Sequence, residues 1–158
     1  MSAHGAPQVT PAQAPGLRVT VVAGTWHTQI AEGLLAGALR YLEAASATVR
    51  VVRVPGSFEL PLACQRVLAG DADAAVALGV IIRGGTPHFD YVASAATDGL
   101  TRVALDSGKP VGFGVLTVDD EQQGLDRAGL EDSLEDKGAE AADAAVRLAL
   151  SLREPSGS

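Results

Sequence analysis

A chain of 158 residues is long enough for one domain with a real core, and 47% hydrophobic content with only 4% aromatics leaves alanine, valine, leucine and glycine to pack it. A formal net charge of −7 with no basic run argues against nucleic acid as a partner, because a phosphate backbone needs a basic face. No apolar run reaches the ~20 residues of a membrane span, and a single cysteine excludes an intrachain disulfide and fits a reducing cytoplasm.

Met1 to Gly16, rich in Ala, Pro, Gln and Gly, reads as a flexible arm or one that orders only against a neighbour, with His4 solvated. It lacks the charged-then-apolar pattern of a signal peptide. One domain is expected over 17–153. Leu17 to Ala23 is a first strand, apolar enough to be buried on both faces. Trp26 to Ala45 reads as a helix, since Ile30, Leu34, Gly37, Ala38, Tyr41 and Leu42 recur at steps of three and four. Trp26 is either a packing residue or a stacking platform for a flat ligand. His27 reads as a surface residue at a helix start.

Thr48 to Val54 is a second strand. Pro55 to Glu59 forms a loop before a helix that opens at Pro61, where a missing N–H costs nothing, and runs to Ala69. Glu59 has two readings: an ordinary acid near a helix N-terminus, or a holder of polyol hydroxyls or an amine. Cys64, on that helix among Leu62, Ala63 and Val67, reads as a small buried thiol.

Ala74 to Ile82 is a third and central strand, the most apolar run of the chain. Arg83-Gly84-Gly85-Thr86-Pro87-His88 then turns the chain into a helix that reaches Ser107. Thr86 is the expected N-cap and Pro87 the first helical residue. The amides of that turn and the helix dipole favour an anion such as phosphate, with His88 beside it. The plainer alternative is an ordinary turn with a surface histidine. Val111 to Val118 is a fourth strand, whose Gly112 and Gly114 flank Phe113 and suggest close approach by a backbone or ligand. A short helix over Asp119 to Gly129 carries Arg127 near its end, where the last carbonyls explain it. The last helix is expected over Leu134 to Arg153, with a frayed tail at 154–158.

Strand and helix alternate four times, which predicts an α/β fold. The expected form is a three-layer αβα sandwich with a flavodoxin-like parallel sheet of order 2-1-3-4. Ligands of such sheets bind beyond the carboxyl ends of the strands. Trp26, the 56–59 loop, the 83–88 turn and Phe113 all fall there. Neither a dinucleotide fingerprint nor a nucleoside triphosphate loop is present, and no cluster has metal-ligand spacing.

Pro55-Gly56-Ser57-Phe58-Glu59-Leu60-Pro61, Gly79 to Tyr91, Gly114-Val115-Leu116-Thr117, and Asp126-Arg127-Ala128-Gly129 with Lys137-Gly138 together resemble the 6,7-dimethyl-8-ribityllumazine synthase family of riboflavin biosynthesis. The resemblance covers Leu17 to about Arg153. It implies condensation of 5-amino-6-(D-ribitylamino)uracil with 3,4-dihydroxy-2-butanone 4-phosphate, with no cofactor and no metal. Carried over by motif, Gly85, Thr86 and Arg127 would hold the phosphate, with Lys137 near it, and His88 would transfer protons. Trp26 would stack on the pyrimidine. Ser57, Phe58 and Glu59 would line the ribityl and pyrimidine side, and Val80, Ile81 and Ile82 would touch the ring by backbone. Phe113 and Arg127 would reach in from a neighbouring subunit. Many family members carry phenylalanine where this chain has Trp26, and a different residue at Phe113. The resemblance also implies a pentamer, favoured over a 60-subunit shell by the long acidic stretch from Gly129 to Lys137, and riboflavin synthase as a protein partner. A flavin or lumazine carrier and a cargo shell are the alternatives; the pairing of His88 with Arg127 argues against the carrier.

Overall fold

The structure, a computed structural model, describes residues 9–153. Four strands, β1 (Arg18–Gly24), β2 (Thr48–Val54), β3 (Ala74–Ile82) and β4 (Val111–Val118), alternate with helices α1 (Thr28–Ala44), α2 (Leu60–Ala69) and α3 (His88–Ser107), and α4 (Glu121–Asp126) and α5 (Lys137–Arg153) close the chain. A 3-10 turn at Ser57–Glu59 leads into α2. All strand pairings are parallel and the order is β2-β1-β3-β4.

Alternate residues of the inner strands feed two cores. Val19, Val21, Val76, Leu78 and Val80 pack with Leu34, Ala38, Ala142 and Val146 of α1 and α5. Val22, Ala75, Ala77, Ile81 and Val115 pack with Leu60, Cys64, Leu68, Leu100 and Val103 of α2 and α3. The sheet is therefore the middle layer of three. Cys64 is fully buried in the second core, and that burial pushes its thiol up to about 12.

The close approach expected at β4 is made by a helix. A Cβ on Gly112 would strike the carbonyl oxygen of Ala141, and one on Gly114 would stand 3.1 Å from the Ala141 methyl. These two glycines let α5 lie directly on the edge strand.

β1 and α2 differ from the sequence reading by one residue, α4 is confined to Glu121–Asp126 rather than Asp119 to Gly129, and three helix starts differ for a local reason. The first helix starts at Thr28 rather than Trp26, because His27 adopts a left-handed conformation with φ 60 that no helix accommodates. The third strand's helix starts at His88, one residue late. Pro87 stands at the boundary, and the Thr86 hydroxyl accepts the His88 amide at 3.4 Å. The last helix begins at Lys137 rather than Leu134, since the Asp136 carboxylate accepts the Ala139 amide at 3.1 Å and Ala128 bridges Asp136 in antiparallel fashion.

Residues 9–16, read from sequence as part of a free arm, pack on their own chain. Ala14 is buried and its amide donates to the Ala45 carbonyl at 2.8 Å, while the Ala12 amide donates to the Tyr41 hydroxyl at 3.1 Å. Val9 and Ala12 rest against the first core. His4 and the tail 154–158 lie outside the described residues.

Filling the β4–α5 contact tests this architecture. Gly112→Ala is expected to destabilise the chain by about 1–3 kcal/mol through overpacking against backbone. Urea unfolding reads the loss, and an unchanged midpoint would mean that α5 does not lie on β4 at this distance.

Candidate functional site

A cavity of about 590 Å³ opens at the carboxyl ends of β1 and β3. Three segments build it. The first is the turn after β1. The Thr25 and Trp26 amides donate to the Pro55 carbonyl at 3.0 and 3.1 Å, which stitches this turn to the loop after β2. Trp26 is 62% exposed, so it does not serve as a core residue. Its ring lies against Gly56, where an added Cβ would stand 2.5 Å from Cε3.

The second segment is the loop from Pro55 to Glu59. One carboxylate oxygen of Glu59 accepts the Gly56 amide at 2.9 Å, so the side chain closes its own loop. Ser57 is buried, and its Oγ has no hydrogen-bond partner among the described residues. Phe58 projects outward, 64% exposed.

The third segment follows β3. Val80, Ile81 and Ile82 form the cavity floor, and Thr86 and His88 its far wall. The turn from Gly84 to His88 is exposed in a single chain. Arg83 takes no part in the lining. Its Nε donates to Asp119 at 3.0 Å, it lies 3.9 Å from Asp90, and its guanidinium stacks 4.3 Å from the Phe89 ring. It ties the end of β3 to the end of β4 and leaves the glycine turn without its charge.

The cavity thus gathers Trp26, Ser57, Phe58, Glu59, Val80, Ile81, Ile82, Thr86 and His88. Gly85 sits in the same turn, between two lining residues. Sequence reasoning passed over His27, Phe89, Tyr91 and Val92 as lining residues. Tyr91 and Val92 follow His88 at three and four residues, so helical spacing alone puts them on its face. His27 adjoins Trp26, and its left-handed backbone is the departure from ideal geometry nearest the cavity.

Phe113, Arg127 and Lys137 are not brought to this cavity by the chain's own fold. Phe113 is half-exposed on β4, opposite Ala77. Arg127 follows α4, where its Nη1 donates to the Gln123 carbonyl at 2.9 Å, the expected contact with a late helical carbonyl. Lys137 opens α5. The lining holds neither lysine nor arginine. No group of His, Cys, Asp and Glu suited to a metal ion occurs among the described residues, and no helix among them is long and apolar enough to cross a membrane.

Comparison with known proteins identifies the family. The family model described as 6,7-dimethyl-8-ribityllumazine synthase matches residues 16–153. Curated relatives of that name include one from Clavibacter sepedonicus, 66% identical over 97% of each chain. Another, from Leifsonia xyli subsp. xyli, is 67% identical over 97% of this chain and 98% of its own. A third, from Kocuria rhizophila, is 64% identical over 96% and 99%.

The sole tryptophan makes the cavity observable by fluorescence. Gly56→Ala is expected to displace the Trp26 ring and change its emission, with far-UV circular dichroism unchanged. Identical emission would mean that the ring does not rest on Gly56.

Proposed function

The chain belongs to the 6,7-dimethyl-8-ribityllumazine synthase family, and from that premise we propose which of its residues carry the reaction. The enzyme is a transferase. It condenses 5-amino-6-(D-ribitylamino)uracil with 3,4-dihydroxy-2-butanone 4-phosphate to 6,7-dimethyl-8-ribityllumazine, releasing phosphate and water, the penultimate step of riboflavin biosynthesis.

The observation that carries the assignment of roles is that one cavity draws Trp26, Glu59, Thr86 and His88 from separate segments. Trp26 stacks on the pyrimidine. The Ser57–Glu59 turn takes the ribityl chain, and the strand end at Val80–Ile82 meets the ring with its backbone. Gly85 and Thr86, at the N-terminus of a 20-residue helix, hold the phosphate of the second substrate. The amine of the uracil attacks the ketone, a Schiff base forms, phosphate leaves and the ring closes. His88 accepts and returns the protons near neutral pH. Holding two reactants in register contributes up to roughly 7–11 kcal/mol to such a condensation.

A phosphate dianion over that turn lacks a cationic partner within the chain, because the cavity lining contains no lysine or arginine. The family is oligomeric, and the arrangement proposed here is a pentamer in which Phe113, Arg127 and Lys137 of one subunit complete the cavity of the next. A guanidinium grips phosphate through two parallel hydrogen bonds. The acidic segment from Leu130 to Asp136 favours a free pentamer over a 60-subunit shell. Riboflavin synthase is a proposed protein partner, as consumer of the product. The cytoplasm is the proposed compartment, supported by a lone buried thiol.

Mixing the two substrates with the protein is expected to yield lumazine absorbance. His88→Ala should slow turnover ~100-fold or more with the fold intact, and unchanged turnover would remove His88 from the mechanism. Arg127→Ala should raise KM for the butanone phosphate roughly 10- to 100-fold, with little change for the uracil. Equal losses for both substrates would count against the phosphate role.

Native mass spectrometry is expected to give an assembly of five 16.1 kDa chains. A monomer that is fully active would rule out a site shared between subunits.

A further inference from the structure

One charged group outside the cavity is buried, has no role above, and is poorly satisfied by its surroundings. The Glu135 side chain is 5% exposed, and its Oε1 has no hydrogen-bond partner among the described residues. Two cations flank it. Arg127 Nε lies 3.7 Å from Oε2, and Lys137 Nζ lies 3.8 Å from Oε1. Both distances exceed a hydrogen bond, so the carboxylate attracts the pair without being consumed by either. Burying a carboxylate is costly unless charge compensates it.

The backbone holds Glu135 in place. Its amide donates to the Asp126 carbonyl at 2.9 Å, and its own carbonyl accepts the Gly129 amide at 3.0 Å. The Lys137 amide donates to the Arg127 carbonyl at 3.0 Å, so the residues bearing the two cations are tied together directly. Around the guanidinium the roles divide. Nε faces Glu135, Nη1 is bonded to the Gln123 carbonyl, and Nη2 makes no hydrogen bond among the described residues. Lys137 is steadied in turn by Glu140 at 3.3 Å.

We propose that Glu135 is a positioning residue for the phosphate substrate. Its charge offsets the repulsion between Arg127 and Lys137 and sets them side by side, with the Nη2 edge of Arg127 left to meet the phosphate. This inference rests on the reading of Arg127 as a phosphate ligand. It differs from a competitor role, in which the carboxylate would hold the cations back from the phosphate.

Steady-state kinetics on the assembled enzyme separates these cases. Glu135→Gln, which keeps shape and removes charge, is expected to raise KM for the butanone phosphate about tenfold. The inhibition constant of inorganic phosphate should rise in parallel, while KM for the uracil stays the same. Glu135→Asp, which keeps the charge on a shorter arm, should fall between the two and serves as the readout if the glutamine variant does not fold. Either no change or a tighter phosphate constant in Glu135→Gln overturns the proposal, as does an equal rise for both substrates. Arg127→Ala distinguishes the failures. If it weakens phosphate use while Glu135→Gln does not, Glu135 alone is excluded. If Arg127→Ala leaves phosphate use intact, the phosphate reading falls and this proposal with it.

Discussion

Strand β3 is hydrogen-bonded to β1 on one side and β4 on the other, and its residues are buried through Ile81. A strand so held cannot shift register without moving a whole apolar set to the wrong core. Its carboxyl end is therefore a fixed point. The glycine turn and the start of α3 hang from it, and the Pro55 loop is fastened to the turn after β1 beside it. Parallel pairing places all of these ends on one edge of the sheet. The cavity is a consequence of that geometry before any polar residue is considered.

On this rigid edge the chemistry is set by which charges are withheld. Arg83, the cation closest in sequence to the glycine turn, is engaged by Asp119 and by the Phe89 ring. The turn itself offers amides and the helix dipole. An anion held there by amides alone is bound more loosely than one also met by a guanidinium. Within a single chain, Arg127 and Lys137 lie beside the α1–α5 layer instead, together with a buried acid. The charge missing from the cavity and the cationic pair outside it are two halves of one electrostatic problem, and association of subunits is the simplest way to join them.

Much of this was legible in the sequence, because hydrophobic runs bounded by turn residues mark buried strands well. Thr48–Val54, Ala74–Ile82 and Val111–Val118 have the bounds read from sequence, and the strand order is the expected one. Cys64 is a buried thiol, as its apolar neighbours implied. What sequence obscured was local backbone conformation. His27 looks like an ordinary first-turn residue, yet its left-handed φ ends the turn and starts α1 late. Residues 9–16 look like tail by composition, but the pairing of Ala12 and Ala14 with Tyr41 and Ala45 is a tertiary fact with no local signature. Trp26 reads from sequence as either packing or stacking, and its exposure over Gly56 removes only packing in the chain's own core.

The segment from Gly129 to Asp136 shows why acidic runs are poorly read from sequence. Glu131, Asp132, Glu135 and Asp136 look alike as a solvated, acidic helix start. In the fold they have different tasks. Gly129, at φ 67, turns the chain back so that Asp136 can cap α5 and take the Arg40 guanidinium at 3.1 Å. That same reversal points Glu135 inward, between Arg127 and Lys137, while Glu131 and Asp132 remain exposed. The cap fixes the start of the helix, and the helix start fixes Lys137. A carboxylate one residue earlier then lies beside both cations. The position of the two cations proposed to meet phosphate is thus inherited from a helix cap, a dependence that spacing in the sequence does not express.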